Sequence, residues 1–184
     1  MSVKHPIISV VGSSGAGTST VKHTFEQIFR REEINAAAIE GDAFHRYDRA
    51  EMKAELARRT KEGDHTFSHF SLEANILDEL ETDRYGVPPG HFTDWHDFGE
   101  GSDLLFYEGL HGAVKTPEID IAGQADLKIG VVPVINLEWI QKIHRDYASR
   151  GYTTEAVTDT ILRRMHSYVH VICPQFTETD INFQ

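Results

Sequence analysis

Residues 7–20 read Ile7-Ile8-Ser9-Val10-Val11-Gly12-Ser13-Ser14-Gly15-Ala16-Gly17-Thr18-Ser19-Thr20. An unbroken, mostly apolar run that stops at a glycine marks a strand covered on both faces of a parallel sheet. The glycines beyond it let the backbone curl until its N–H groups face one point, and a helix starting on the far side adds partial positive charge there. Gly12 and Gly17 keep the G-x-x-x-x-G spacing of a phosphate-binding P-loop. Ser19 holds the position whose hydroxyl usually reaches Mg²⁺. The candidate nucleotide cradle is therefore Gly12, Ser13, Ser14, Gly15, Ala16, Gly17, Thr18, Ser19 and Thr20. Thr18 stands where the motif carries lysine, so another cation must neutralise a transferring phosphoryl group. The bland alternative is a glycine-rich turn with no ligand; the strand before it and the amphipathic helix after it favour phosphate binding.

Working outward, Val21, Phe25, Ile28 and Phe29 recur at i, i+4, i+7 and i+8, which predicts a helix from about Thr18 to Arg31. Ala36 to Ile39 reads as a second strand, stopped by Gly41. Met52 and Leu56, then Leu72, Ile76 and Leu80, predict two further helices. Leu104 to Tyr107 and Leu127 to Val134 read as strands. Leu137, Ile140, His144 and Tyr147 mark one helix face, and Val157, Ile161, Met165 and Tyr168 another, with Thr153 or Thr154 as its cap. Strands separated by helices imply an α/β fold: a mostly parallel sheet, helices on both faces and right-handed crossovers. Ligands in such folds sit at the carboxyl ends of the strands. Residues 81–101, rich in Gly, Pro, Asp and His, have no period and read as a long loop near the site or a place where chain is missing.

The 184 residues fit one domain, 1–184, with enough chain for a real core. No apolar run approaches the ~20 residues of a membrane span, and the first residues lack a cleavage-like site, so neither membrane nor signal peptide is expected. Cys173 is the lone cysteine, which fits a reducing compartment and a cytoplasmic protein. The net charge of −11 argues against nucleic acid as a partner. An anionic substrate then needs local cations, and the sequence clusters them as His45, Arg46, Arg49 and as Lys142, Arg145, Arg150.

Three further places carry candidate chemistry. Asp42 follows the second strand on the same rim as the P-loop, where it could take a proton from an attacking hydroxyl or merely cap a helix; spacing alone leaves the two even. Glu108 ends an apolar strand, as the metal-holding acid of a Walker B strand does. On the helix near Asn136, Lys142, Arg145, Asp146 and Ser149 share one flank with Arg150 at its edge, while Leu137, Ile140 and Tyr147 lie opposite. A solvated charged face is the ordinary reading of such a flank, but this one follows a strand onto the presumed active rim. The i,i+4 pairs His65/His69 and His166/His170 lack a third ligand and carry little weight as a metal site.

The runs Pro6–Thr20, Ile39-Glu40-Gly41-Asp42-Ala43-Phe44-His45-Arg46, Phe106-Tyr107-Glu108-Gly109-Leu110-His111-Gly112 and Asp126 through Ile135–Asp146 to Arg150-Gly151-Tyr152-Thr153-Thr154 resemble the bacterial type of phosphoribulokinase, in the phosphoribulokinase/uridine kinase family of P-loop kinases. The likeness covers nearly the whole chain, and Thr18 in the lysine position belongs to that family's own pattern. The resemblance implies transfer of the ATP γ-phosphoryl group to the carbon-1 hydroxyl of ribulose 5-phosphate, giving ribulose 1,5-bisphosphate for carbon fixation, with Mg²⁺ as cofactor. It implies Asp42 as base, Lys142 and Arg145 as cations on the transferring group, Asp146 and Glu108 with Ser19 as acids and hydroxyl near the metal, and His45, Arg49 and Arg150 as the grip on the sugar phosphate. It also implies a homo-oligomer, an octamer in many members, with NADH and AMP as effectors. Two departures stand out: the family's basic flap near 84–86 and its C-terminal part are expected to be missing here. A uridine or nucleoside kinase, and a catalytically silent nucleotide-binding module, are the competing readings; a nucleoside has no phosphate for Arg49 and Arg150 to clamp.

Overall fold

The structure is a computed structural model that describes residues 5–77 and 101–184. Five strands form one parallel sheet: β1 (Ile7–Val11), β2 (Ala36–Glu40), β3 (Leu104–Gly109), β4 (Leu127–Val131) and β5 (Ile181–Phe183), in the order β2-β3-β1-β4-β5. Because every pairing is parallel, all carboxyl ends leave on one rim, and the register aligns them: Val11 faces Gly109 and Gly130, and Glu40 faces Glu108. The helices are α1 (Thr18–Arg31), α2 (Arg49–Lys61), α3 (Ile135–Arg150) and α4 (Thr154–Ser167). A π-helical stretch, Tyr168–Ile172, continues α4 into a last turn, Cys173–Gln175.

The inner strands alternate their side chains between two covered faces of the sheet. On one, Val10, Phe106 and Ile129 pack under α1, where Phe25, Phe29 and Phe106 bring their rings within 5.2–5.6 Å of one another. On the other, Val11 meets Ala113 and Ala122. Helix starts follow local chemistry. Asp48 caps α2 through a reciprocal box with Glu51, and the Thr153 hydroxyl accepts from Ala156 N–H at the head of α4. Asp42 therefore caps no helix; it sits in a 3₁₀ turn, Gly41–Phe44, that leaves β2.

Tyr107 organises the rim from below. Its ring is buried, the His111 N–H donates to its hydroxyl, and a Cβ on Gly41, Gly109 or Gly112 would run into it. Only residues without a side chain let the chain pass that close to the phenol.

Two expectations need correction, and others lie outside the described residues. The helix predicted from Leu72 is a single 3₁₀ turn, Leu72–Ala74, because side chains claim the local backbone: Asn75 Nδ2 donates to the His69 and Ser71 carbonyls at 3.0 and 2.8 Å. Leu80 and most of the loop expected at 81–101 lie outside the described residues, as do positions 84–86. The strand expected to reach Val134 ends at Val131, where Pro133 lies ahead, and β5 was not foreseen. Finally, α3 is turned the other way round from a core helix. Leu137, Ile140 and Tyr147 face solvent at 49, 52 and 65 % exposure, while Glu138, Lys142 and Asp146 point inward.

Phe106, 2 % exposed at the centre of the aromatic cluster, sets a measurable stability. Phe106→Ala should cost about 3–5 kcal/mol, read as a lower urea midpoint at unchanged slope; a shift below about 1 kcal/mol would mean the cluster does not hold the sheet to α1.

Candidate active site

The glycine loop runs from β1 into α1. Gly17, at φ 101°, turns the chain into the helix, and Gly15 at φ 109° lies directly under α3. A Cβ at Gly15 would sit 3.0 Å from the Glu138 carbonyl oxygen and 3.1 Å from Lys142 Cβ, so the bare backbone is what allows α3 to rest on the loop. The Ser13 hydroxyl is fully buried beside the Glu138 carboxyl and makes no hydrogen bond of ordinary geometry. Burial pushes the Glu138 carboxyl up, with Ser13 and Tyr168 pulling it partly back.

The inward stripe of α3 forms a charge knot over this loop. Asp146 accepts from Lys142 Nζ at 2.7 Å and Arg145 Nε at 3.0 Å, and Arg150 lies 3.2 Å away. Arg145 Nη2 also donates to Ser14 Oγ at 3.1 Å, which ties the knot to the P-loop itself. Burial acts to raise the Asp146 carboxyl, but the hydrogen bonds from Lys142 and Arg145 win and hold it below the ordinary range. Lys142 is lowered to about 8, chiefly by burial and then by Arg164, against the support of Asp146.

Across the rim, Asp42 is open to solvent and its Oδ1 lies 3.4 Å from His45 Nε2. That contact holds the Asp42 carboxyl below its ordinary value. Glu108 is raised by burial although the Thr18 hydroxyl donates to it, so the residue in the lysine position is tied to the strand's terminal acid. The field of Arg164 feels both Asp42 and Asp146, and that of His69 feels both Asp42 and Lys142. Arg164 and His69 therefore lie near both sides of the expected site.

The structure thus brings together the P-loop, Asp42, His45, Glu108, Lys142, Arg145, Asp146 and Arg150. Arg49 is different: it is exposed at the start of α2 and makes no hydrogen bond or ion pair among the described residues. Arg46, in the same cationic cluster, is a strap, donating to the carbonyls of Glu73 and Asn75. Sequence reasoning missed Arg164. It stacks on the Phe70 ring at 5.0 Å and lines a cleft with Ser14, Lys142, Trp139 and Tyr168. Burial lowers its guanidinium to about 10, and it has no ion pair among the described residues. The available signal was its place one residue before Met165 on the buried face of α4. No group of three or more metal-type ligands occurs among the described residues, and none of their helices is long and apolar enough to cross a membrane.

A glycine-loop cradle at the carboxyl rim of a parallel sheet, with a cationic helix lying over it, defines a P-loop kinase. The family model of the phosphoribulokinase/uridine kinase family matches residues 7–184, and the chain belongs to that family. It is similar to phosphoribulokinase 1 of Cereibacter sphaeroides, 68% identical over 207 aligned positions that take in all of this chain and 71% of the relative. Against the phosphoribulokinase of Nitrobacter vulgaris the identity is 62%, over 98% of this chain and 70% of the relative. Among solved structures it superposes on a phosphoribulokinase from Rhodobacter spheroides with a TM-score of 0.85 and 69% identity, covering 98% of this chain and 70% of that one.

Because Asp146 supplies both of the leading influences that raise Lys142, Asp146→Asn should move the lysine's titration below about 8. NMR titration of the Lys142 side chain reads this directly; an unchanged or higher midpoint would show that the pair is not coupled as described.

Proposed function

We propose that this chain is an ATP-dependent phosphoribulokinase, a phosphotransferase that moves the γ-phosphoryl group of ATP to the carbon-1 hydroxyl of ribulose 5-phosphate, with residues 7–184 forming its kinase domain. The observation that carries this is the cationic knot of Lys142, Arg145 and Arg150 held by Asp146 against a P-loop without lysine, facing a carboxylate that caps nothing.

The roles follow from position. Backbone N–H groups of Gly12 to Thr20 and the head of α1 cradle the phosphates. Lys142 and Arg145 supply the positive charge that Thr18 does not, where the transferring group gathers negative charge. Asp42 accepts the proton of the attacking hydroxyl. His45, Arg150 and Arg49 hold the sugar phosphate; Arg49 must come to it from the exposed start of α2. For the divalent ion the donor set fits: Ser19 is exposed on the first turn of α1, and Glu108, near the end of β3, is reached by the hydroxyl of its neighbour Thr18. Ser19 and Glu108 would hold Mg²⁺, which when bound would supply positive charge to offset that of the phosphates. Asp146 shares that duty only if a metal displaces one of its three cations.

The homo-oligomer and the response to NADH and AMP belong to the same proposal. The outward apolar face of α3, with Val134 69 % and Tyr147 65 % exposed, supports the first. Leu137→Glu with Tyr147→Glu should lower the sedimentation coefficient towards that of a single chain; no change would place any interface elsewhere.

Turnover decides the acceptor. ADP release should follow addition of ribulose 5-phosphate and not of uridine; the reverse would make the chain a nucleoside kinase, and silence with both a nucleotide-binding module. Asp42→Ala should lower kcat by about 10²–10⁴-fold with ATP affinity within about twofold, because it removes a base and no phosphate contact. Equal loss of both would assign Asp42 a structural role.

A further inference from the structure

Asn75 lies behind the active rim and is 3 % exposed. Its side-chain amide has two ends, and the backbone settles which is which. One end reaches two carbonyl oxygens, of His69 at 3.0 Å and Ser71 at 2.8 Å, and only an NH₂ group can satisfy both. The other end must be the oxygen, and it lies 2.7 Å from His45 Nδ1. A carbonyl oxygen accepts, so that ring nitrogen carries a proton. The remaining nitrogen, Nε2, faces Asp42 Oδ1 at 3.4 Å. If His45 were neutral it would turn a lone pair towards the carboxylate.

We propose that Asn75 is a positioning residue of the active site, whose side-chain oxygen pins the Nδ1 proton of His45 and so compels the other face of the ring to meet Asp42 as a proton donor. The inference rests on the kinase reading above, which makes Asp42 the base and His45 part of the acceptor grip.

The anchoring is unusually firm. His45 and Asn75 pair as an isolated antiparallel bridge, flanked by Arg46 N–H to the Ala74 carbonyl and Ile76 N–H to the Phe44 carbonyl, both 2.9 Å. The turn that carries Asp42 and the segment that carries Asn75 thus move together. The other groups facing the ring do not compete for its proton. His69, 5.1 Å away between ring centres, is held neutral down to about pH 3 by burial. His111 donates its own Nε2 proton to the Phe70 carbonyl and is lowered to about 4 by burial. Arg164 opposes a second cation, and burial does too, yet the contacts with Asp42 and Asn75 leave His45 raised above its usual value. The consequence is chemical. An imidazolium on Asp42 keeps that carboxylate ionised but blunts it as a base. An acceptor's phosphate dianion that takes over the Nε2 proton donor would free Asp42 for the hydroxyl.

Long-range ¹H–¹⁵N spectra of the intact chain test this, with His45→Gln to assign the ring. Below the ordinary imidazole midpoint both His45 nitrogens should appear protonated, and on raising the pH Nε2 alone should lose its proton, at a midpoint above that of a free imidazole. In Asn75→Ala the midpoint should fall by about one unit or more. The same variant should lose about tenfold in kcat/KM for ribulose 5-phosphate at a pH between its own His45 midpoint and that of the wild type and recover much of it below its own midpoint, where acid restores the imidazolium; a merely structural lesion would not recover. A neutral His45 with its proton on Nε2 in the wild type, or an unchanged midpoint in Asn75→Ala, overturns the proposal, as does a kinetic loss that is equal at both pH values. Should Asn75→Ala not fold, the wild-type spectra alone decide. These spectra do not need turnover, so failure of the acceptor assignment and failure of this inference give different results.

Discussion

One carboxylate holds the site together. Asp146 draws Lys142, Arg145 and Arg150 onto itself, and Arg145 reaches on to Ser14 in the glycine loop. Taking such charges out of water costs several kcal/mol per ion, so the arrangement stands because Lys142 and Arg145 are hydrogen-bonded to the carboxylate while Arg145 and Arg150 stay partly exposed. That geometry in turn requires α3 to lie on Gly15, where any side chain would meet the Glu138 carbonyl. The absence of lysine from the loop and the presence of charge on the inner face of α3 are two halves of one solution. Positive charge enters from above the phosphates and is held there by a helix.

The same inversion explains what could be read from residues and what could not. The β1–loop–α1 unit was legible because periodicity and glycine spacing are local, and the bounds of α1 at Thr18 and Arg31 coincide with the pattern. For α3 the element and the turn of its charged flank toward the active rim were legible, but the depth of its burial was not. Apolar residues on one flank ordinarily point to the core, and only the tertiary structure shows that Glu138, Lys142 and Asp146 take that place. The Leu72–Ile76 spacing is helical, whereas the Asn75 amide donates to the His69 and Ser71 carbonyls and the Ser71 hydroxyl accepts from Ser68 N–H, so only a single turn forms. Spacing put Arg164 beside the buried face of α4 and no more; its meaning depends on Phe70, which lies far away in sequence and close in space. β5, three exposed residues, is too short for any period to reveal.

Asp42 illustrates how structure narrows chemistry. Spacing left it either a cap or a base. The presence of Asp48 as the true cap of α2 removes the first role, and the nearness of His45 gives the second a definite electrostatic setting. The phosphate-binding loop, the base and the cations come from three different segments, yet the parallel register delivers them to one edge without further adjustment.

Tyr107 carries a lesson of another kind. Gly41, Gly109 and Gly112 each lack a side chain in favour of the same phenol, so these four positions cannot drift independently. Adding a methyl group at any of the three asks the ring to leave, and shrinking the ring opens a void that only added methyl groups could refill. Sequence change beneath Asp42 is therefore an all-or-nothing exchange, and substitutions sampled one at a time will look forbidden where a joint replacement would be permitted.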